Sequence, residues 1–209
     1  EKFTRPGPDG KDVTIRTLPR PVQENLPVWL TAAGNPETFR QAGLRGFNLL
    51  THLLGQTTEE LTEKLDQYRQ AWKEAGHPGT GHVTLMVHTL VGNDIDEVRE
   101  TVRQPLTAYL ESSVSLIKEA AWSFPALKER ADQAGTDPSS MVESGELSPE
   151  DRKALLEHAF NRYFETSGLF GTPDSCLARV KELRSIGVDE LACLIDFGVP
   201  AETVLANIE

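Results

Sequence analysis

Four short apolar runs, each followed by a stretch with helical periodicity, constrain this chain more than any other feature. Pro27-Val28-Trp29-Leu30-Thr31-Ala32, Phe47-Asn48-Leu49-Leu50-Thr51-His52, His82-Val83-Thr84-Leu85-Met86-Val87-His88 and Glu190-Leu191-Ala192-Cys193-Leu194-Ile195-Asp196-Phe197 lack the strict alternation of a half-buried strand. All four read as strands, the continuous apolar Pro27 to Ala32 as one buried on both faces of a parallel sheet. Helices separate them. Asn35 is a good N-cap with Pro36 at the first helical position, and that helix runs through Phe39 and Ala42 to Gly43 or Gly46. Thr57 and Glu60 form a capping box for a helix with Leu61, Leu65, Tyr68, Trp72 and Ala75 on one face. Asn93-Asp94-Ile95-Asp96 starts a longer one through Val98, Val102 and Leu106, which Pro105 is expected to kink or restart. Thr172-Pro173-Asp174-Ser175 opens another through Leu177, Val180 and Leu183, ended by Gly187, and a last begins near Pro200.

Strands alternating with helices imply a parallel sheet with right-handed crossovers. A doubly wound sheet would place a glycine-rich phosphate loop after its first strand, and the sequence holds no G-x-G-x-x-G or Walker-type motif. The expectation is therefore an α/β chain forming the C-terminal half, four β/α units, of a TIM-type (β/α)8 barrel, a fold that usually needs about 250 residues. Its organisation reads as one partial barrel domain over 1–209: an irregular lead-in loop over 1–26, three β/α units over 27–110, a helical insertion over 111–168 before the last strand, and a last unit over 169–209. Within the insertion, Gln133 to Gly145 is polar enough to be a mobile surface loop before Ser148-Pro149-Glu150 caps a helix. A first residue that is Glu rather than Met, followed by a loop-like segment, reads as a chain cut from something longer.

Composition excludes several classes. A formal net charge of −11 opposes a sequence-independent hold on nucleic acid or an anionic membrane. No apolar run approaches the roughly 20 residues of a spanning helix, and EKFTRPGPDGKD has no signal-peptide character, so a cytoplasmic location is expected. Cys176 and Cys193 are too few for a disulfide framework and read as buried thiols.

In a β/α barrel, chemistry collects where strands end. In Thr31-Ala32-Ala33-Gly34-Asn35-Pro36-Glu37-Thr38, small residues allow backbone to approach a ligand while a helix N-terminus presents free N–H groups, so a phosphate would fit; an ordinary βα turn would look the same. His52 and His88 each close a strand at the same rim, where they would hydrogen-bond a ring or substrate carbonyl or be satisfied by neighbouring backbone. His82 is at the opposite end of its strand, so no third ligand joins them and no metal is expected. Asp196 could orient a ligand or cap the helix near Pro200, and Gln56 is a ligand or a plain loop residue. No nucleophile elbow occurs.

These same stretches resemble the luciferase-like monooxygenases, in particular the subgroup found beside nonribosomal peptide and polyketide modules. The resemblance spans nearly the whole chain and is carried by Pro19-Arg20-Pro21-Val22-Gln23, residues 27–39, residues 48–56, residues 82–89 and Cys193-Leu194-Ile195-Asp196-Phe197-Gly198. It implies that these strands are the fifth to eighth of a barrel, and that reduced FMN from a separate flavin reductase, together with oxygen, oxygenates an organic substrate. The flavin phosphate would lie at Thr31, Ala32, Ala33, Gly34, Asn35 and Thr38, with Gln56 nearby, and His52 and His88 would face flavin or substrate. An acyl or aminoacyl group on a carrier protein is the implied substrate, and deazaflavin F420 is the alternative cofactor. Because strands that would build the isoalloxazine pocket are not in this sequence, the isolated chain is expected to be inactive unless a further segment or self-association closes the barrel. A non-catalytic half-barrel acting as scaffold or dimerisation module is the competing function.

Overall fold

The computed structural model describes residues 2–16, 18–19, 22–23, 26–145 and 147–208. Arg20 and Pro21, part of the stretch that carries the resemblance, lie outside the described residues. The central element is a parallel sheet of β3 (Trp29–Thr31), β4 (Asn48–His52), β5 (Val83–Val91), β6 (Leu169–Gly171) and β7 (Glu190–Leu194), in which β4 and β7 flank β5 over its first half. β6 pairs with the last three residues of β5, Thr89 to Val91. Three residues are too short to show a period, so this strand escapes a sequence reading. The last predicted strand is correspondingly shorter, because the chain leaves the sheet after Leu194 and turns the Phe197 ring onto His88 and Phe170.

The crossovers are the capped helices: α1 (Pro36–Leu44), α2 (Thr58–Glu74), α3 (Ile95–Glu111), α8 (Pro173–Ser185) and the short α9 (Ala201–Ala206). Asn35 accepts from Glu37 N at 3.0 Å, and Thr57 and Glu60 exchange both capping-box bonds. The buried face of α2 is Leu61, Lys64, Leu65, Tyr68, Ala71 and Trp72; Ala75 falls beyond the helix and is exposed. Helices α1 and α2 pack so closely that a Cβ at Gly43 would overlap the Tyr68 carbonyl oxygen. α3 runs as one helix through Pro105, so the helix does not restart there.

Between α3 and β6 come α4 (Val114–Ser123), α5 (Pro125–Ala134), α6 (Pro138–Glu143) and α7 (Pro149–Thr166). The polar stretch expected to be a mobile loop contains α6: Pro138 takes the first turn, Asp137 accepts from Ser140 N at 2.9 Å, and Met141 and Val142 pack on the core. The lead-in also departs from an irregular loop. β1 (Lys2–Pro6) and β2 (Asp12–Arg16) form an antiparallel hairpin closed at Gly7 to Lys11, with Gly10 at φ 75°, the left-handed backbone that Asp9-Gly10 favours. The prolines at 6, 8, 19 and 21 hide it in the sequence.

Two apolar clusters form the interior. One packs Phe39, Leu49, Leu61, Tyr68, Val83, Leu85 and Val87 between the sheet and its helices. The other packs Val102, Leu106, Leu110, Leu155, Phe160 and Tyr163 within the helical region. The first strand, expected to be buried on both faces, lies at the sheet edge as β3 with Trp29 and Thr31 exposed, and Cys193 on β7 is exposed rather than buried. Cys176 is buried. Among the described residues the sheet does not close into a barrel, and β3 and β7 each pair on one side only. No helix among them is long and apolar enough to cross a membrane.

Candidate functional site

Side chains alternate along a strand, so β5 sends Val83, Leu85 and Val87 into the helix-side core and Thr84, Met86 and His88 to the opposite face. Register places His52 of β4 opposite Met86, which puts His52 and His88 on this face at the rim where strands end. The turn after β3 reaches the same rim.

The imidazoles are held without being satisfied. His88 is 2% exposed, edge-on to Tyr109 of α3 at 4.4 Å between centroids and to Phe197 at 5.0 Å. Its Nε2 and the Nδ1 of His52 are buried with no hydrogen-bond partner of good geometry. Burial, and then the neighbouring His52, depress the His88 pKa to about 4. Burial also lowers that of His52, an effect the Leu54 backbone partly offsets. Both rings are therefore neutral near pH 7, each able to donate from one nitrogen and accept at the other. Orphaned buried nitrogens are rare and mark a place where a partner belongs.

The turn from Thr31 to Thr38 is tied at both ends and open in the middle. Ala32 N donates to Leu50 O at 3.0 Å and Thr38 N to Asn35 O at 3.1 Å, fixing its two ends. Between them Gly34 is exposed, with open space where a side chain would be. Asn35 spends its side-chain oxygen on Glu37 N, so its part is to shape the helix start. Glu37 would repel an anion, but its carboxylate is drawn up the helix by Gln41 Nε2 at 2.7 Å and Arg40 Nη1 at 3.4 Å. These features leave open space for an anionic group at the Gly34 turn and unpartnered nitrogens for a hydrogen-bonding group beside the histidines.

Gln56 sits elsewhere in the scheme. It is buried, its amide nitrogen donates to the His52 carbonyl and to Thr51 Oγ1, and its oxygen accepts from Lys64 Nζ at 2.8 Å. It props the histidine strand end, with both of its amide groups engaged within the protein. Asp196 is exposed beyond β7, and α9 begins at Pro200 with no side-chain cap, so the capping role expected as one alternative is absent. Two contributors escaped the sequence reading. Tyr109 is partly buried against the core on α3, and Lys64 lies on the buried face of α2 between Leu61 and Leu65; a helical apolar period by itself gives neither a polar role.

At the opposite rim, Trp29 Nε1 donates to Thr84 Oγ1 at 3.0 Å, Thr84 Oγ1 donates to Glu190 Oε2 at 2.8 Å, and His82 Nε2 lies 3.2 Å from the same oxygen. Those hydrogen bonds, with Thr84 first, hold the Glu190 pKa below its ordinary value. This network links β3, β5 and β7 and is complete in itself.

Known proteins share this fold. Solved structures with the same fold include the FMN-bound oxygenating constituent of 3,6-diketocamphane monooxygenase from Pseudomonas putida, at TM-score 0.54 and 19% identity over 93% of this chain and 52% of that one. A monooxygenase from Streptomyces bottropensis superposes at TM-score 0.52, with 20% identity over 90% of this chain and 48% of that one. An F420-dependent secondary alcohol dehydrogenase bound to an F420–acetone adduct gives 0.53, with 14% identity over 100% of this chain and 56% of that one. The chain thus spans about half the length of the solved structures it matches. No curated protein matches it. Residues 4–190 match the luciferase-like monooxygenase family, and the chain belongs to that family.

Proposed function

We propose that this chain supplies the phosphate-holding part of a flavin-dependent monooxygenase site. The observation that carries the reading is the pairing, at one rim of the sheet, of two buried unpartnered histidine nitrogens with a turn open at Gly34, in a chain of this family. Reduced FMN, delivered by a flavin reductase, would supply the oxygen-activating chemistry when bound. The chain's own residues do the rest. Gly34 and the α1 N-terminus bind the phosphate through backbone N–H groups. His88, neutral and wedged between Tyr109 and Phe197, offers a hydrogen bond to the ring or to a substrate carbonyl without adding charge. His52 does the same from β4, its carbonyl anchored by Gln56. The aromatic walls exclude water from that rim.

The open sheet sets the limit of this chain by itself. With free edges at β3 and β7 and Trp29 42% exposed on the inner face, further strands, from a longer polypeptide or a second copy, would close the barrel around the ring. The inferred substrate is an organic acyl or aminoacyl group on a carrier protein of a natural-product assembly line, the setting the resemblance implies, and we place the protein in the cytoplasm. Titrating the chain with FMN and riboflavin, followed by flavin fluorescence, tests the reading: FMN binds weakly but about tenfold tighter than riboflavin, because only FMN brings a phosphate to charge-assisted donors. Equal affinities overturn it, and a monomer that binds FMN tightly and stoichiometrically overturns the need for closure.

A further inference from the structure

Lys64 is the most conspicuous charged group that the proposed site leaves unused. Its side chain lies on the buried face of α2 with 9% exposure, between Leu61 and Tyr68. A buried ammonium ordinarily sits against a carboxylate, because removing it from water is otherwise costly. Lys64 instead donates to two neutral oxygens, Gln56 Oε1 at 2.8 Å and Ala33 O at 3.2 Å. Glu119 feels its charge only as the weakest of several influences, after burial, Arg162 and Glu60, and burial raises the Glu119 pKa.

The second acceptor gives the arrangement its meaning. Ala33 O belongs to the peptide that joins Ala33 to Gly34, and in a trans planar peptide the C=O and the following N–H point in opposite directions. An ammonium gripping Ala33 O therefore leaves the Gly34 N–H on the side of the peptide away from Lys64, at a residue that is itself exposed. The cation also sits at the negative end of that peptide dipole, which strengthens the positive end at Gly34. A lysine inside the helix layer thereby acts on a ligand it does not touch.

We propose that Lys64 is the positioning residue of the anion cradle: it fixes the Ala33–Gly34 peptide with the Gly34 N–H outward and supplies the positive charge that complements a phosphate held there. The proposal rests on the phosphate reading of the turn and concerns an additional residue.

The test follows the Gly34 amide by NMR while inorganic phosphate is added to the full chain, then to Lys64→Met, with FMN and riboflavin affinities measured beside it. In the parent chain phosphate shifts the Gly34 amide. In Lys64→Met the phosphate midpoint rises about tenfold and the preference for FMN over riboflavin falls with it, whereas riboflavin affinity stays constant; Lys64→Arg, which keeps the charge, returns the midpoint to within about threefold of the parent. An unchanged midpoint in Lys64→Met overturns the role of Lys64 while leaving the turn as an anion site. A Gly34 amide that ignores phosphate in the parent chain overturns the turn itself. Should Lys64→Met not fold, Lys64→Gln is read in the same way, since it removes the charge and retains an amide donor.

Discussion

At the rim where the strands begin, Trp29, Thr84, Glu190 and His82 form a connected chain of hydrogen bonds, whereas at the rim where they end His52 and His88 each keep a buried nitrogen without a partner. The residue types are similar, and one strand, β5, supplies both Thr84 and His88 to the same face. The first rim spends its polar groups on tying β3, β5 and β7 together. The second leaves two buried ring nitrogens unpaired, at a cost in stability. In β/α folds this is the expected division, with stability at the N-terminal ends of the strands and chemistry at the C-terminal ends.

The largest expected effect comes from titrating the unsatisfied rim. His88 titrates at about 4 in the fold and near 6.5 when unfolded, so between those values only the unfolded chain takes up the proton. Its contribution is complete above pH 6.5 and is lost as pH falls toward 4, an amount of about 3 kcal/mol on the scale of 1.36 kcal/mol per unit. Urea melts at pH 7 and pH 4.5 should show most of that loss, and His88→Gln should remove it. A parent chain equally stable at both values would erase the contrast between the rims.

At the other rim, Thr84→Val removes both the acceptor for Trp29 and a donor to Glu190, and should cost about 1–2 kcal/mol in urea melts. Flavin preference should not move. If it does, the two rims are coupled and the division fails. Asn35→Ala deletes the α1 cap and should cost about 1 kcal/mol, with a weakened FMN preference as the helix start loosens. The smallest change in stability belongs to Gly34→Ala, within about 0.5 kcal/mol because a Cβ there meets nothing. The added methyl stands where phosphate would approach, so FMN should lose its advantage over riboflavin while the melt stays put. Loss of stability without loss of preference would show the turn to be structural.

Elements with long periods or strong caps were legible from residues alone. Thr57 with Glu60, Asn35 with Pro36 and Thr172 with Ser175 announce α2, α1 and α8 because capping is a local interaction among neighbours in sequence. β6 and α6 were not legible, since three and six residues are held by what they pair with or pack on rather than by their own pattern. Within the candidate site, strand ends located His52 and His88, but burial is a tertiary quantity, and so is the depressed pKa that follows from it. Gln56 moved from ligand to prop for the same reason: its partners, Lys64 and the His52 carbonyl, become visible only when β4 and α2 meet.

The sequence by itself determined the alternation of strands and helices, the turn chemistry at Gly34 and Asn35, and which rim would gather the histidines, because each depends on residues a few positions apart. Only the tertiary structure decided that the sheet stays open between β3 and β7, that His88 lies sealed between Tyr109 and Phe197, and that Lys64 reaches Ala33 from 31 residues away. Those contacts join distant parts of the chain, and no local pattern records which side chains a packed interior will bring together.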